Sequence, residues 1–266
     1  MKNMINNNYT FVLSSCDNYS DLWDPFFTQL RKYWTDFDYP VYICTESKSF
    51  KFNGIDIHCP LQVAKTNTWS QNLLEILDYT DTEFVIFMLD DFWLKSPVNT
   101  SLLEKCKFII EQEKNMGFLC LIQQKASVYA CDINHEEIVH MPKNQYFRIT
   151  TQAGIWRKKY LQQILRKHES AWQFEWFGSK RSKRLKMQPY VVSNKVGSVF
   201  DYDSGGVLFR GAYVKEYIGY FLDHENISLT KDRKVAPKSE LESNEYDKKI
   251  NYFSLRFIFD YIRSMI

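Results

Sequence analysis

The stretch Phe84-Val85-Ile86-Phe87-Met88-Leu89-Asp90-Asp91-Phe92-Trp93 decides how the rest of the chain is read. Six apolar residues in a row have the character of a strand buried on both faces, the pattern of a parallel sheet. Two adjacent carboxylates then stand where that strand stops. Successive strand residues point to opposite faces, so both acids reach one ligand only if the chain is already turning at Asp90. Close carboxylates repel and raise one another's pKa unless a cation lies between them, and hard oxygen ligands suit Mg²⁺ or Mn²⁺ carrying a diphosphate. The plain alternative is an acidic turn solvated at the sheet edge.

Working outward toward the N-terminus, 68–79 reads as a helix capped by Thr68, 55–58 and 40–45 as strands, 22–34 as a helix with apolar positions at 23, 26, 27, 30 and 34, and 9–15 as the opening strand. Toward the C-terminus, a helix over 102–114 precedes strands over 118–123, 128–132 and 147–151, helices over 157–167 and 172–180, strands near 189–193 and 207–210, and a helix over 212–222. Residues 230–249 are polar and rich in both charges, the pattern of a loop or linker, and 250–266 reads as a helix. Alternating strands and helices imply an α/β fold: a mostly parallel central sheet with helices on both faces, plus a C-terminal helix. The expected organisation is one domain over 1–225, in halves 1–100 and 101–225, a linker over 226–249 and the terminal helix. Ligands of such sheets sit at the carboxyl ends of the strands.

Composition bounds the function. Of 266 residues 45% are hydrophobic and 25% charged, which suits a globular chain with a full core; 34 Lys and Arg against 32 Asp and Glu leave +2, without the single-sign field of a general nucleic-acid binder. The start, Met1-Lys2-Asn3-Met4, shows no apolar signal region, and the longest apolar run falls far short of a membrane span, so the expected location is cytoplasmic. Six cysteines without a CxxC pair read as buried free thiols. No glycine-rich phosphate loop, HExxH or GxSxG occurs. The 17% aromatic content supplies rings that can stack on sugars as well as fill a core.

Several pieces stand in a telling order: Phe11-Val12-Leu13-Ser14-Ser15, Trp69-Ser70-Gln71-Asn72-Leu73, Asp90-Asp91-Phe92, Thr151-Gln152-Ala153-Gly154-Ile155-Trp156 and Trp172-Gln173-Phe174-Glu175. Over about 9–225 the chain resembles bacterial GT-A-fold glycosyltransferases of capsular and lipopolysaccharide biosynthesis. The family's acidic motif usually reads Asp-x-Asp, and here its first place is Leu89. The resemblance implies an inverting, divalent-metal-dependent enzyme that moves a sugar from a nucleotide-diphosphate donor to a hydroxyl of a growing glycan or lipid-linked oligosaccharide. It implies Asp90 and Asp91 on the donor and the Mn²⁺ or Mg²⁺, with His224 as a further metal ligand or else a surface histidine. Ser14, Asp17, Tyr19, Thr45, Asn72, Gln152 and Trp156 would line the donor site, and Trp172 and Arg181 the acceptor site; Glu46 is a weaker candidate.

Glu175 is the implied general base. Among Trp172, Phe174, Trp176 and Phe177 its carboxyl would be desolvated and its pKa raised, which suits a base working near neutrality. The other readings are plainer: Ser14 to Tyr19 as a polar turn, Glu175 as a helix-terminal acid, and Trp156 as a core residue. Ten Lys or Arg between 157 and 186 against Glu169 and Glu175 suit either a solvated surface or an anionic acceptor or membrane leaflet. The terminal helix, with Lys249, Arg256, Asp260 and Arg263 on one side, suits docking on the domain, a second subunit or the inner face of the plasma membrane. A retaining enzyme of the same fold and a catalytically silent glycan-binding or scaffold protein remain as rivals. Nucleotidyl transfer is disfavoured because Ser14 to Tyr19 contains no glycine.

Overall fold

The computed structural model describes residues 8–61, 67–129, 135–243 and 255–266. Its first half reads β1 (Tyr9–Ser14), a 3-10 turn over Asp17–Leu22, α1 (Trp23–Tyr33), β2 (Val41–Ile43), β3 (Ile57–His58), α2 (Trp69–Asp78) and β4 (Phe84–Leu89). The second half continues with α3 (Thr100–Gln112), β5 (Met116–Cys120), β6 (Ile138–His140), β7 (Gly154–Arg157), α4 (Lys158–Ile164), α5 (Ala171–Ser182), β8 (Gln188–Val192), β9 (Leu208–Phe209), β10 (Ala212–Val214), α6 (Lys215–His224), β11 (Val235–Ala236), α7 (Lys238–Ser243) and α8 (Leu255–Met265).

Eight strands form one sheet in the order β3-β2-β1-β4-β7-β5-β8-β6. All but β6 and β7 run the same way, because β4 and β5 both pair antiparallel to β7 while the β1, β2, β3 and β5·β8 pairings are parallel. The expected mostly parallel α/β sheet is therefore present. Side-chain alternation along β1 sends its residues to two helical layers. Phe11 packs on Phe26 of α1 and on Trp34, while Ser14, three residues on and on the opposite face, accepts a 2.8 Å hydrogen bond from the indole of Trp69 in α2. Trp69 also packs on Phe87, the residue of β4 beside Val12. Helices thus cover both faces, and β1 and β4, buried along nearly their whole length, are the centre of the core.

Several boundaries differ from the sequence reading. The strand expected over 147–151 is absent; the chain there is irregular, and β7 begins only at Gly154. Gly154 is required by packing, since a Cβ would lie 2.4 Å from the Phe118 ring. Around the strand expected over 128–132 the described residues form a 3-10 turn at Lys125–Val128, and 130–132, with Cys131, lie outside the described residues. The helix expected over 212–222 is β10 followed by α6. The expected linker holds β11 and α7, with 244–249 outside the described residues, and β11 pairs with β10. Arg233 at its start forms a nearly buried ion pair with Asp21 at 2.6 Å. A polar composition concealed these contacts because they are ionic and main-chain rather than apolar. The five described cysteines are free, and among the described residues no helix is long and apolar enough to cross a membrane.

Candidate active site

From β1 the chain runs to β2 and β3 on one side and returns as β4 on the other, with Ser14 beside Leu89. The crevice at the carboxyl ends of β1 and β4 is thus a topological switch point, the place where open α/β sheets bind ligands. Asp90 and Asp91 follow β4 directly, and the chain does turn there, closed by a hydrogen bond from Phe92 N to Leu89 O. Asp90 is only 5% exposed and accepts a short hydrogen bond from Ser15, whose hydroxyl is itself held by the Trp23 indole at 2.6 Å. Asp91 is bracketed from the other side: its carbonyl accepts from Val207 N at 2.9 Å, and Gly206 packs on its carboxylate.

The electrostatics of the pair are unbalanced. Burial first, and then the charge of Asp91, pushes the Asp90 carboxyl well above the usual carboxylate range. Burial raises Asp91 to about 7, against the pull of main-chain N–H groups that favour its charged form. The charges bearing on Asp90 are those of Asp91 and Asp21, both acids. Oδ1 of Asp91 is buried without a hydrogen-bond partner among the described residues. A buried acceptor left open is costly unless a ligand or ion completes it.

Glu175 stands on the second turn of α5, whose capping box at Ser170 and Gln173 starts the helix. Its Oε1 accepts three hydrogen bonds, from Thr151 N at 2.6 Å, Thr151 Oγ1 at 2.9 Å and Thr150 Oγ1 at 3.1 Å. Burial raises its pKa and those three donors hold it down, with burial the larger. The loop 150–153 that supplies them enters β7, and because β7 is antiparallel to β4 this loop lies at the same end of the sheet as the acids. Tyr202 links the two parts: its ring stacks on Phe92 at 4.3 Å, and its hydroxyl accepts from Ala153 N and donates to Gln152.

The candidate residues divide clearly. Ser14 is buried and committed to Trp69. Tyr19 is half-buried under Arg233, and its phenol is raised by burial first and also by the charges of Cys16 and Asp90, which puts it near the acids. Thr45 and Asn72 are buried, and among the described residues Thr45 Oγ1 and Asn72 Oδ1 lack partners. The Asp17 carboxylate accepts from Glu46 N, Ser47 N, Ser47 Oγ and Lys48 N, while Glu46 accepts from Asp17 N, so the two acids lace the β1 and β2 loops together. Trp156 is a core residue stacked on Phe118 at 3.9 Å, a correction to its sugar-stacking role. Arg181 is also corrected. It is buried in a bidentate pair with Glu169 and bonded to the carbonyls of Ile164 and Ser264, so it cannot reach an acceptor.

Trp172 is 72% exposed at the start of α5. His224 is exposed at the end of α6 with its ring near Tyr220, and among the described residues no three His, Cys, Asp or Glu side chains cluster as a metal site. Sequence reasoning missed Gly206, Tyr202 and the Thr150–Thr151 cradle. The doublet Gly205-Gly206 after Asp203-Ser204 was the one available turn signal.

No protein-family model matches the chain, and no curated protein matches it in sequence. Among solved structures it is similar to residues 1–349 of S. aureus TarS, at 12% identity and a TM-score of 0.49, over 74% of this chain and 60% of that one. The chain thus spans less than two-thirds of that structure's length. It is also similar to the galactosyltransferase LgtC in complex with donor and acceptor sugar analogs, at 12% identity and a TM-score of 0.35 over 56% and 58% of the two chains. A cytidylyltransferase from Leptospira borgpetersenii is matched at 9% identity and a TM-score of 0.43 over 84% and 98%. Likeness at this level decides nothing about the chemistry. The residues at the switch point must carry it.

Proposed function

We propose that the chain is a nucleotide-sugar-dependent glycosyltransferase, carried by one observation: at the switch point the buried Asp90 carboxylate stands beside Asp91, whose Oδ1 is buried and open, and among the described residues no cation is bonded to either acid. Asp91 Oδ1 is the unpartnered atom that fits a divalent cation, and Asp90 stands beside it. Two protein carboxylates suffice for Mg²⁺ or Mn²⁺, which keeps waters and takes phosphate oxygens for its other positions. Bound there, the ion would act as a Lewis acid on the departing diphosphate. Ser15 holds Asp90, Gly206 and Val207 hold Asp91, and both acids are thereby preorganised before a donor arrives. Glu175, with Oε1 anchored by two threonines, offers its other oxygen as the base that takes the proton of the attacking hydroxyl, the inverting course.

The proposed acceptor is a growing surface glycan of the capsular or lipopolysaccharide kind at the cytoplasmic membrane face. The orientation of α8 supports that placement. Phe257 and Tyr261 pack on Phe177 of α5, and at about 100° per residue the opposite side of α8 carries Phe259 and Ile262, both exposed, with Arg263 beside them. An apolar stripe with a cation suits an anionic bilayer surface. Wild-type protein should cosediment with phosphatidylglycerol vesicles, and Phe259→Asp should abolish this.

The central test is a thermal-shift screen against UDP, GDP, CMP and dTDP with and without Mn²⁺. A ligand at a hundred times its dissociation constant adds about 2.7 kcal/mol of stability. One diphosphate should stabilise the protein in a metal-dependent way that Asp91→Asn removes; no shift with any nucleotide rejects the reading. Glu175→Gln should then lower transfer about a hundredfold while leaving nucleotide binding intact. A rate that survives this change would instead assign the retaining course.

A further inference from the structure

At the carboxyl end of β5, between the loop before α3 and the segment 198–204, lies an open cavity of about 380 Å³ that none of the roles above uses. Its walls come from three segments stitched together. The segment 198–204 is bonded on one side to the loop before α3, by Lys95 N to Asp201 O at 2.9 Å and Asn99 N to Val199 O at 3.0 Å. On the other side it is bonded to the end of β5, by Val199 N to Leu121 O at 2.8 Å and Gln123 N to Ser198 Oγ at 2.9 Å. The cavity is therefore formed in advance of any ligand, and its volume lies within the range of small-molecule sites.

The lining states what would fit. Its polar groups are hydroxyls, carboxamides and one carboxylate, from Asn99, Gln123, Ser198, Asp201 and Ser204, set against Ile122, Phe200 and an aromatic wall at Tyr202, and among the described residues no lysine or arginine lines it. Without a cation the cavity does not suit a phosphate or a nucleotide, and its polar rim does not suit an apolar ligand. Asp201 accepts Ser96 Oγ at 2.9 Å through Oδ2, and the Gln123 carboxamide is exposed without a partner among the described residues. Groups that both donate and accept, backed by an aromatic wall, match a neutral polyhydroxyl ring.

The geometry points to this cavity as a subsite for a neutral saccharide, and, resting on the transferase reading above, as the subsite that presents the acceptor hydroxyl. Its position connects it to both halves of the reaction. Tyr202 forms its wall and also bonds Ala153 and Gln152 in the loop that carries the Glu175 cradle, while Gln152 donates to Ser204 O at 2.9 Å. Two residues beyond Ser204, Gly206 packs on Asp91. The segment that lines the cavity is thus tied both to the loop that carries the Glu175 cradle and to the glycine packed on Asp91.

Saturation-transfer NMR with the methyl β-glycosides of glucose, galactose and N-acetylglucosamine, with no nucleotide present, tests the subsite directly. At least one glycoside should give a signal in the wild type. Filling the cavity with Gln123→Trp should weaken it about tenfold or more, and Asp201→Asn, which keeps the shape and removes the charge, should weaken it as well. An unchanged thermal midpoint shows that each variant is folded. No signal from any of the three glycosides, or a signal that neither substitution changes in folded protein, overturns the proposal. The nucleotide screen fails or succeeds separately: saccharide binding with no nucleotide shift would leave the subsite and remove the acceptor role.

Discussion

Gly206 holds φ +71° against Asp91, and a Cβ there would lie 2.0 Å from Oδ2. Two costs are combined at this residue, backbone strain and collision with a functional side chain. Gly197, at φ +79° with nothing within 4 Å of its Cβ direction, carries the first cost alone. Gly206→Ala should therefore lose stability by at least about 1 kcal/mol and also lose the metal-dependent nucleotide shift, whereas Gly197→Ala should lose stability only. Urea melts and the thermal-shift assay separate the two. If both variants keep the nucleotide shift, the contact between Gly206 and Asp91 does not set the acid geometry.

Along α5 the charged residues divide by burial. Arg181 ties α5 to the carbonyl of Ile164 at the end of α4, to Glu169 and to Ser264 of α8, with both members of the ion pair buried. Lys180, one residue earlier, is exposed over the Trp176 ring. Removing one partner of a buried pair strands the other charge, so Arg181→Ala should cost about 3–5 kcal/mol in a denaturant titration. Lys180→Ala should stay within about 0.5 kcal/mol. The cluster of cations between 157 and 186 is thus partly internal wiring: Arg157 pairs with Glu83, and Lys158 bonds the carbonyl of Thr80 at 2.5 Å.

For the whole molecule the acids set a pH dependence of unusual sign. Asp90, Asp91 and Glu175 all have pKa values raised by burial, Asp91 to about 7. The folded state keeps protons that the unfolded chain releases, so their contribution is present at low pH and is lost as pH rises through the folded values. Between about pH 4 and pH 7 the metal-free protein should lose stability as these acids release their protons. Asp91→Asn should flatten this slope. Mn²⁺, by favouring the charged acids, should stabilise the protein more at pH 7.5 than at pH 5. Chemical denaturation across pH, with and without Mn²⁺, checks all three outcomes.

The run from Phe84 to Leu89 and the acids after it were legible because burial on both faces leaves an uninterrupted apolar run, and a turn at its end leaves polar residues of one kind together. Glu175 stood out as an acid among aromatic residues, and α1 and α2 showed their helical spacing. These are local signals, set by chain neighbours. Whether Trp156 stacks on a sugar or on Phe118, and whether Arg181 meets an acceptor or Glu169, depended on partners far along the chain. The clasp of Arg233 on Asp21 and the seat of Asp91 against Gly206 were hidden for the same reason. The sequence by itself determined the alternation of strands and helices and the place of the acid pair, since both follow from periodicity. Only the tertiary structure decided which polar and aromatic side chains were free for a ligand, because that depends on which of them the folded core and its ion pairs had already taken.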